Sequence, residues 1–230
     1  SRYHHDNDTE AAKHLNAYVD ACEGSPERTA LYILGVLDYR NHEYAACSEH
    51  MAGVTEIEDA MSQSAYMFIG HSNVKSGSLN AAAMAYEKAF SMPYDTNVQE
   101  TAFFNYALTQ SDGGRTPFNR SIDIFEQFLI RFPKSTYAGD VEDYLINAYN
   151  TGGNYERALE SISHIKTPSD KVLRAKQRVL YNLGIQSLSN GKVAEAHRHF
   201  YDAYALGKLD RALRNECNLM RKTITEQTTE

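Results

Sequence analysis

The sequence predicts an all-α chain built from stacked helical hairpins. Three observations carry that prediction. Apolar residues recur at three- and four-residue spacing, short turns marked by glycine or proline separate the periodic segments, and no segment alternates as a strand would. The stretch from Phe125 to Ile165 shows all three. Phe125, Phe128 and Phe132 make one helical stripe that ends at Pro133. Tyr144, Leu145, Ala148 and Tyr149 make the next, Gly152-Gly153-Asn154 breaks it, and Tyr155, Ala158, Leu159, Ile162 and Ile165 line a third. Helix, short turn, helix, with each helix too short to bury its apolar face alone, describes an array that is stable only when stacked.

Taken in order, the chain opens on a polar lead-in, Tyr3 to Asp8, followed by a helix over 9–23 with Leu15, Tyr18, Val19 and Cys22 on one face. Gly24 stops it. Ser25 then reads as an N-cap and Pro26 as the first helical position of the first hairpin. From Leu31 a repeat emerges. Leu31, Leu34, Gly35, Tyr44, Cys47, Met51 and Val54 are followed about 35 residues on by Tyr66, Ile69, Gly70, Leu79, Ala82, Tyr86 and Ala89. The pattern returns as Leu180, Leu183, Gly184, Val193, Ala196, Phe200 and Ala203. A glycine inside a helix costs roughly 1 kcal/mol in propensity, so its recurrence implies close helix packing. Cys47, Ala82, Ala158 and Ala196 are expected to press on that glycine, with the larger residue four later filling the groove between hairpins.

The resulting parse is one elongated solenoid over 1–230: the leading helix, hairpins at 26–54, 56–91, 96–132, 135–165 and 169–205, and a closing helix at 209–227. The third hairpin has the longest internal joint, Asp112-Gly113-Gly114-Arg115-Thr116, with Thr116-Pro117 capping its second helix, where Phe118 opens the apolar stripe. All five prolines (Pro26, Pro93, Pro117, Pro133, Pro168) fall at turns or first helical positions, where a missing N–H does no harm.

These spacings resemble the tetratricopeptide repeat, whose pattern is a large residue, then Leu-Gly, then Tyr, Ala, Phe, Ala and Pro. Tyr44, Tyr86 to Ala89, and Ala196 to Ala203 carry the likeness, with Gly77, Gly153 and Gly191 placed where the first helix of a hairpin turns into the second. The resemblance covers nearly the whole chain and implies a right-handed superhelix. The phrase Phe125-x-x-Phe128-x-x-x-Phe132-Pro133-x-Ser135-x-Tyr137 is similar to the repeats of bacterial envelope proteins, among them the lipoproteins of the Bam complex and the Tol-Pal coordination proteins. That likeness implies a scaffold in the bacterial cell envelope, in the periplasm. The chain opens Ser1-Arg2-Tyr3 with no methionine and no signal peptide, which reads as a segment of a longer protein.

Chemistry is sparse. A net charge of −7 argues against a nucleic-acid-binding face, and no run of 18 apolar residues provides a membrane span. Cys22, Cys47 and Cys217 match no metal spacing and read as small buried apolar residues. His197 and His199 lie two apart on a helix and point about 200° apart, so they cannot share a metal. His4, His5, Asp6 and Asp8 form a poor cage. No HExxH, CxxC pair or GxSxG elbow is present, and the Gly-rich joints lack the Lys-Ser/Thr of a phosphate loop. The sequence therefore predicts no metal, no cofactor and no enzyme.

What remains is surface. The resemblance implies that the first helix of each hairpin lines a concave groove. Mapped on by position, it gives Tyr32, Val36, Tyr39 and Arg40 in the first hairpin, and Met67, His71, Val74 and Lys75 in the second. The third gives Phe104, Leu108 and Ser111, the fourth Asp143, Asn147 and Asn150, and the fifth Arg178, Tyr181, Ile185 and Leu188. Families that clamp a peptide carboxylate need a Lys one turn before the asparagine. Here Asp143 precedes Asn147 and would repel it. The expected function is a protein-interaction scaffold that holds a partner polypeptide in the groove. The alternatives are an assembly module packing on other domains or copies of itself, and a solenoid that stacks a carbohydrate or small ligand on its tyrosines.

Overall fold

The computed structural model of the chain describes residues 2–112, 118–151, 153–165 and 167–227, and among these there are twelve helices and no strand. The Gly113–Thr116 joint, the Thr116-Pro117 cap and Gly152 lie outside the described residues, as do the side chains of His4, His5, Asp6 and Phe118. The helices gather into two compact units, Ser1–Thr116 and Pro117–Glu230.

Unit 1 holds α1 (Arg2–Ala21), α2 (Arg28–Arg40), α3 (Tyr44–Val54), α4 (Ala60–Lys75), α5 (Leu79–Ser91) and α6 (Thr96–Asp112). Each helix packs on the next, and α2, α4 and α6 also touch in succession. The first helices of neighbouring hairpins therefore lie side by side. Two expectations fail at the start of the chain. The lead-in over 3–8 is helical, because α1 begins at Arg2, and Asp8 is held by an ion pair to Arg40 at 2.8 Å. Ser25 and Pro26 do not start the next helix; α2 begins at Arg28 with Glu27 in the extended N-cap conformation and no side-chain cap bond. Arg28 is engaged instead in the tertiary contact described below.

Unit 2 holds α7 (Phe118–Arg131), α8 (Ala138–Thr151), α9 (Tyr155–His164), α10 (Asp170–Ser189), α11 (Val193–Ala205) and α12 (Arg211–Gln227). Here α8, α10 and α12 touch in succession. Phe125 of α7 stacks on Tyr144 of α8, with centroids 5.3 Å apart and planes 7° from parallel. The last core layer gathers Leu180, Ala196, Phe200, Ala203, Cys217 and Ile224. Cys47 and Cys217 are buried, as apolar residues would be, and Cys22 is half-buried.

The glycine contact differs from expectation. It is the larger residue, not the small one, that meets the glycine. A Cβ on Gly35 would lie 2.9 Å from Met51, one on Gly70 2.5 Å from the Tyr86 ring, and one on Gly184 2.6 Å from the Phe200 ring. The side chain sixteen residues on fills the notch that the missing Cβ leaves, while Cys47, Ala82 and Ala196 are fully buried beside it.

A second recurrent contact has no counterpart in the sequence reading. Seven residues before each of these glycines stands a polar side chain: Arg28, Gln63 or Gln177. Gln63 Nε2 donates to the carbonyls of Ala89 and Met92, and its Oε1 accepts from Asp95 N–H at 2.7 Å. Gln177 Nε2 donates to Ala203 O, and its Oε1 accepts from Asp210 N–H at 3.0 Å. Arg28 donates to Val54 O and to both oxygens of Asp59. In every case the side chain ties the end of the hairpin's second helix to the residue that opens the next hairpin. That residue is an aspartate each time, and its carboxylate accepts a backbone N–H of the following helix. The Arg28 guanidinium holds the Asp59 carboxyl well below the usual carboxylate range.

A candidate protein-interaction face

On unit 1 the adjacency of α2 and α4 brings four rings into one chain of contacts. Tyr32 meets Phe68 edge-on at 6.2 Å, Phe68 meets Tyr39 at 5.6 Å, and Tyr39 meets His71 at 6.2 Å. From His71 the chain continues to Tyr86, whose hydroxyl shares a 2.8 Å hydrogen bond with Nδ1. Tyr39 also leans on Tyr44 at 5.7 Å. Most of these contacts are edge-to-face, the arrangement that the ring quadrupole favours by about 0.5–1.5 kcal/mol per pair. Tyr32, Tyr39, Phe68 and His71 are each half-buried, so the rings are oriented by one another while part of each remains open to solvent. Such anchors need little ordering when a partner arrives.

Burial lowers the His71 pKa, with Lys75 one turn away adding to the effect, so the ring is neutral at neutral pH. Burial likewise pushes the Tyr39 phenol up. The face is therefore aromatic and uncharged. It is followed along α4 by Val74 and Lys75, both exposed.

The remaining predicted residues are placed differently. Phe104 is buried at 9% exposure and belongs to the core of α6, which corrects its placement in an open groove. Met67 packs, partly buried, against Ala82, Tyr86, Ala89 and Ala102 and turns toward the neighbouring hairpin. Arg40 is engaged by Asp8 of the leading helix. In unit 2, Asp143 is paired with Lys171 at 3.0 Å, and Asn150 and Arg178 are exposed. Asn147, one turn after Asp143 on α8, is also exposed. Tyr181 is turned to the closing helix: its ring tilts against Phe200, its hydroxyl donates to Glu216, and that carboxylate pushes the phenol up to about 12. Phe68 is the ring that positional mapping missed. Its three-residue spacing to His71 places both on one side of α4 and was the available signal.

Among the described residues no group of three His, Cys, Asp or Glu side chains could hold a metal ion, and no helix is long and apolar enough to cross a membrane. The sequence matches no protein-family model and no curated protein. Solved structures do match. A TPR repeats protein from Bacteroides fragilis superposes with a TM-score of 0.59 at 16% identity, covering 87% of this chain and 99% of that one.

The fold is the tetratricopeptide-repeat fold.

A tetratricopeptide repeat protein from Parabacteroides merdae also aligns, with a TM-score of 0.47 and 14% identity over 95% of this chain and 80% of its own. In tetratricopeptide terms, α2, α4 and α6 are the first helices of their repeats, and the aromatic face is built on two of them.

Proposed function

We propose that the chain is a non-catalytic scaffold that binds a partner polypeptide on the first-helix face of unit 1. One observation carries this reading: the continuous, half-buried ring chain of Tyr32, Phe68, Tyr39 and His71, shared between two adjacent first helices. Rings held by their neighbours and partly open are the anchors from which interfaces draw most of their affinity. The fold adds support, since stacked repeats present such a face on rigid elements. Unit 1 has 16 acidic and 7 basic residues, so its field favours a partner segment that is basic or neutral and carries apolar side chains for the rings. The likeness of the Phe125–Tyr137 phrase to envelope-protein repeats supports a site of action in the bacterial cell envelope, which fractionation of the source cells would test.

The experiment is a crosslinking pull-down from source cells with wild type, Tyr39→Ala and Val74→Asp as baits. Val74 is exposed, so its variant keeps the fold, and circular dichroism checks both. A polypeptide crosslinked to residues 32–40 or 67–75 and lost from both folded variants supports the reading. Equal capture by all three baits overturns it. A concentration-dependent mass with no partner captured points to self-assembly instead.

A further inference from the structure

In unit 2, α12 repeats the spacing of a hairpin's first helix. Arg214 and Arg221 stand seven residues apart, as Arg28 and Gly35, Gln63 and Gly70, and Gln177 and Gly184 do. Asp210 opens α12 four residues before Arg214 and accepts from Leu213 N–H, just as Asp59 opens α4 four residues before Gln63 and accepts from Ser62 N–H. Cys217 is buried three residues after Arg214, as Leu31 and Leu180 are after Arg28 and Gln177. Arg214 therefore holds the position of the tie, and Arg221 that of the notch glycine. In the three tied hairpins this side of the first helix meets the second helix of its own hairpin. The neighbours on which α12 packs are α10 and α11, which precede it.

Along the seam with α11 that side carries a ladder of guanidinium groups and phenol rings. The Arg214 guanidinium lies over Tyr204 at 4.0 Å, and that of Arg221 lies 5.2 Å from Tyr204 and 5.7 Å from Tyr201. Among the described residues neither arginine is paired with a carboxylate, and Arg214 makes no hydrogen bond. Only its Nε is both buried and unpartnered, so its two Nη groups face solvent. Arg221 Nη2 donates to Asn218, and its Nη1 is likewise open. The helix carries four basic and two acidic residues, and one of those acids, Glu216, is turned away to the Tyr181 hydroxyl. Guanidinium groups already stacked on rings lose little freedom when a carboxylate arrives, and Tyr and Arg are the residues on which interfaces concentrate their affinity.

The occupant is read from Arg28, the arginine at the same position in the first hairpin. It donates to Val54 O, where the second helix ends, and to both oxygens of Asp59, five residues further on. An arginine here takes a helix end together with an acid just beyond it. We propose that the α11–α12 seam is a docking surface for a helix of a partner polypeptide that is followed by an aspartate or glutamate, with that carboxylate on the open Nη groups of Arg214. Arg221 fills the place of the notch, so the incoming helix is held further off than α3 is from α2, and the docking is reversible. The surface lies in unit 2 and does not depend on the role of the aromatic face.

The test is a titration of the full chain with a synthetic peptide of its own residues 44–62, the segment that meets Arg28, read by the amide chemical shifts of Arg214, Asn218 and Arg221. Shifts are expected, with at least fivefold lower affinity for the same peptide carrying Asp59→Asn. Arg214→Gln in the chain should lower the affinity at least fivefold. Tyr201 is 49% exposed, so Tyr201→Glu keeps the fold, which circular dichroism checks, and supplies the seam with a carboxylate of its own; it too should weaken binding at least fivefold. Equal binding of the two peptides, unchanged binding by folded Tyr201→Glu, or no shift at all would each overturn the surface. Sodium acetate producing the same shifts at the peptide's concentration would reduce it to a carboxylate contact without a helix. Shifts in α12 on concentrating the chain alone would assign the seam to a second copy, and either result overturns the partner helix.

Discussion

The first full hairpin of unit 1 and the last of unit 2 solve the same packing problem with different residues. In α2–α3 the tie to the next hairpin is Arg28, the side chain in the glycine notch is Met51, and the left-handed turn residue is His42, at φ 67°. In α10–α11 the same positions hold Gln177, Phe200 and Gly191, at φ 74°. The backbone bonds of the two turns also coincide: Glu43 N–H reaches Asp38 O at 2.8 Å, and Lys192 N–H reaches Ser187 O at 2.8 Å. Geometry is kept and chemistry varies. What recurs from repeat to repeat is a donor set, a glycine notch, an opening aspartate and a turn, while the side chains that tie, fill and turn vary.

The comparison can be broken at each position. The largest effect is expected at the tie. Gln177 is fully buried, so Gln177→Ala leaves Ala203 O and Asp210 N–H without partners; at about 1–3 kcal/mol per buried unsatisfied group, the loss should be about 3 kcal/mol. Arg28 is 22% exposed, water can replace part of it, and Arg28→Ala should cost about half as much. Native-state hydrogen exchange at the amides of α12 and α4 reads the two losses separately. Equal losses would show that burial does not decide the strength of the tie.

A smaller difference is expected at the notch. A Cβ on Gly184 meets the rigid Phe200 ring, and overpacking of about 3 kcal/mol less roughly 1 kcal/mol of helix propensity gives a net loss of about 2 kcal/mol for Gly184→Ala. Gly35→Ala meets both Cε and Cγ of the buried Met51 at 2.9 Å; the thioether end can turn but Cγ cannot, so the net loss should be smaller, about 1 kcal/mol. Thermal denaturation followed by circular dichroism distinguishes them. An equal loss in the two variants would mean that Met51 is as fixed as a ring.

The smallest effect is expected at the turn. A left-handed backbone costs an L-residue roughly 1–2 kcal/mol, whereas glycine adopts it freely at some entropic cost. His42 recovers part of this through its 2.9 Å bond to the Tyr44 hydroxyl. His42→Gly should therefore stabilise unit 1 by only about 0.5 kcal/mol, while Gly191→His, placed where no such partner is provided, should cost about 1 kcal/mol. Urea midpoints measure both, and a destabilised His42→Gly would show that the Tyr44 bond outweighs the backbone strain.

The elements were legible because helical periodicity, glycine turns and proline breaks are local properties. Leu34, Gly35, Met51 and their counterparts at 69–86 and 183–200 announced the hairpins without any knowledge of their neighbours. The errors share one cause. Ser25-Pro26 carries a valid local start signal, yet α2 begins at Arg28, the residue tied to Asp59 more than thirty positions away. The start of α1 was missed for the same reason, since Asp8 is held by Arg40. At the candidate face, successive helix positions differ by about 100° in direction, so a one-residue offset exchanges an open ring for a packed one. Phe68 faces Tyr39 while Met67, beside it, faces Tyr86 and its neighbours.

Residue order was enough to make this chain all helix, to place its turns, and to mark which apolar residues recur in a tetratricopeptide stack. The packing of helix on helix settled the rest: which side chain enters each glycine notch, and that Arg28, Gln63 and Gln177 are equivalent. It also turned Tyr181 to α12 while joining Tyr32, Tyr39 and His71 in one face. Periodicity is a property of neighbours along the chain. Contacts between helices depend on their rotation and crossing, which no single segment encodes.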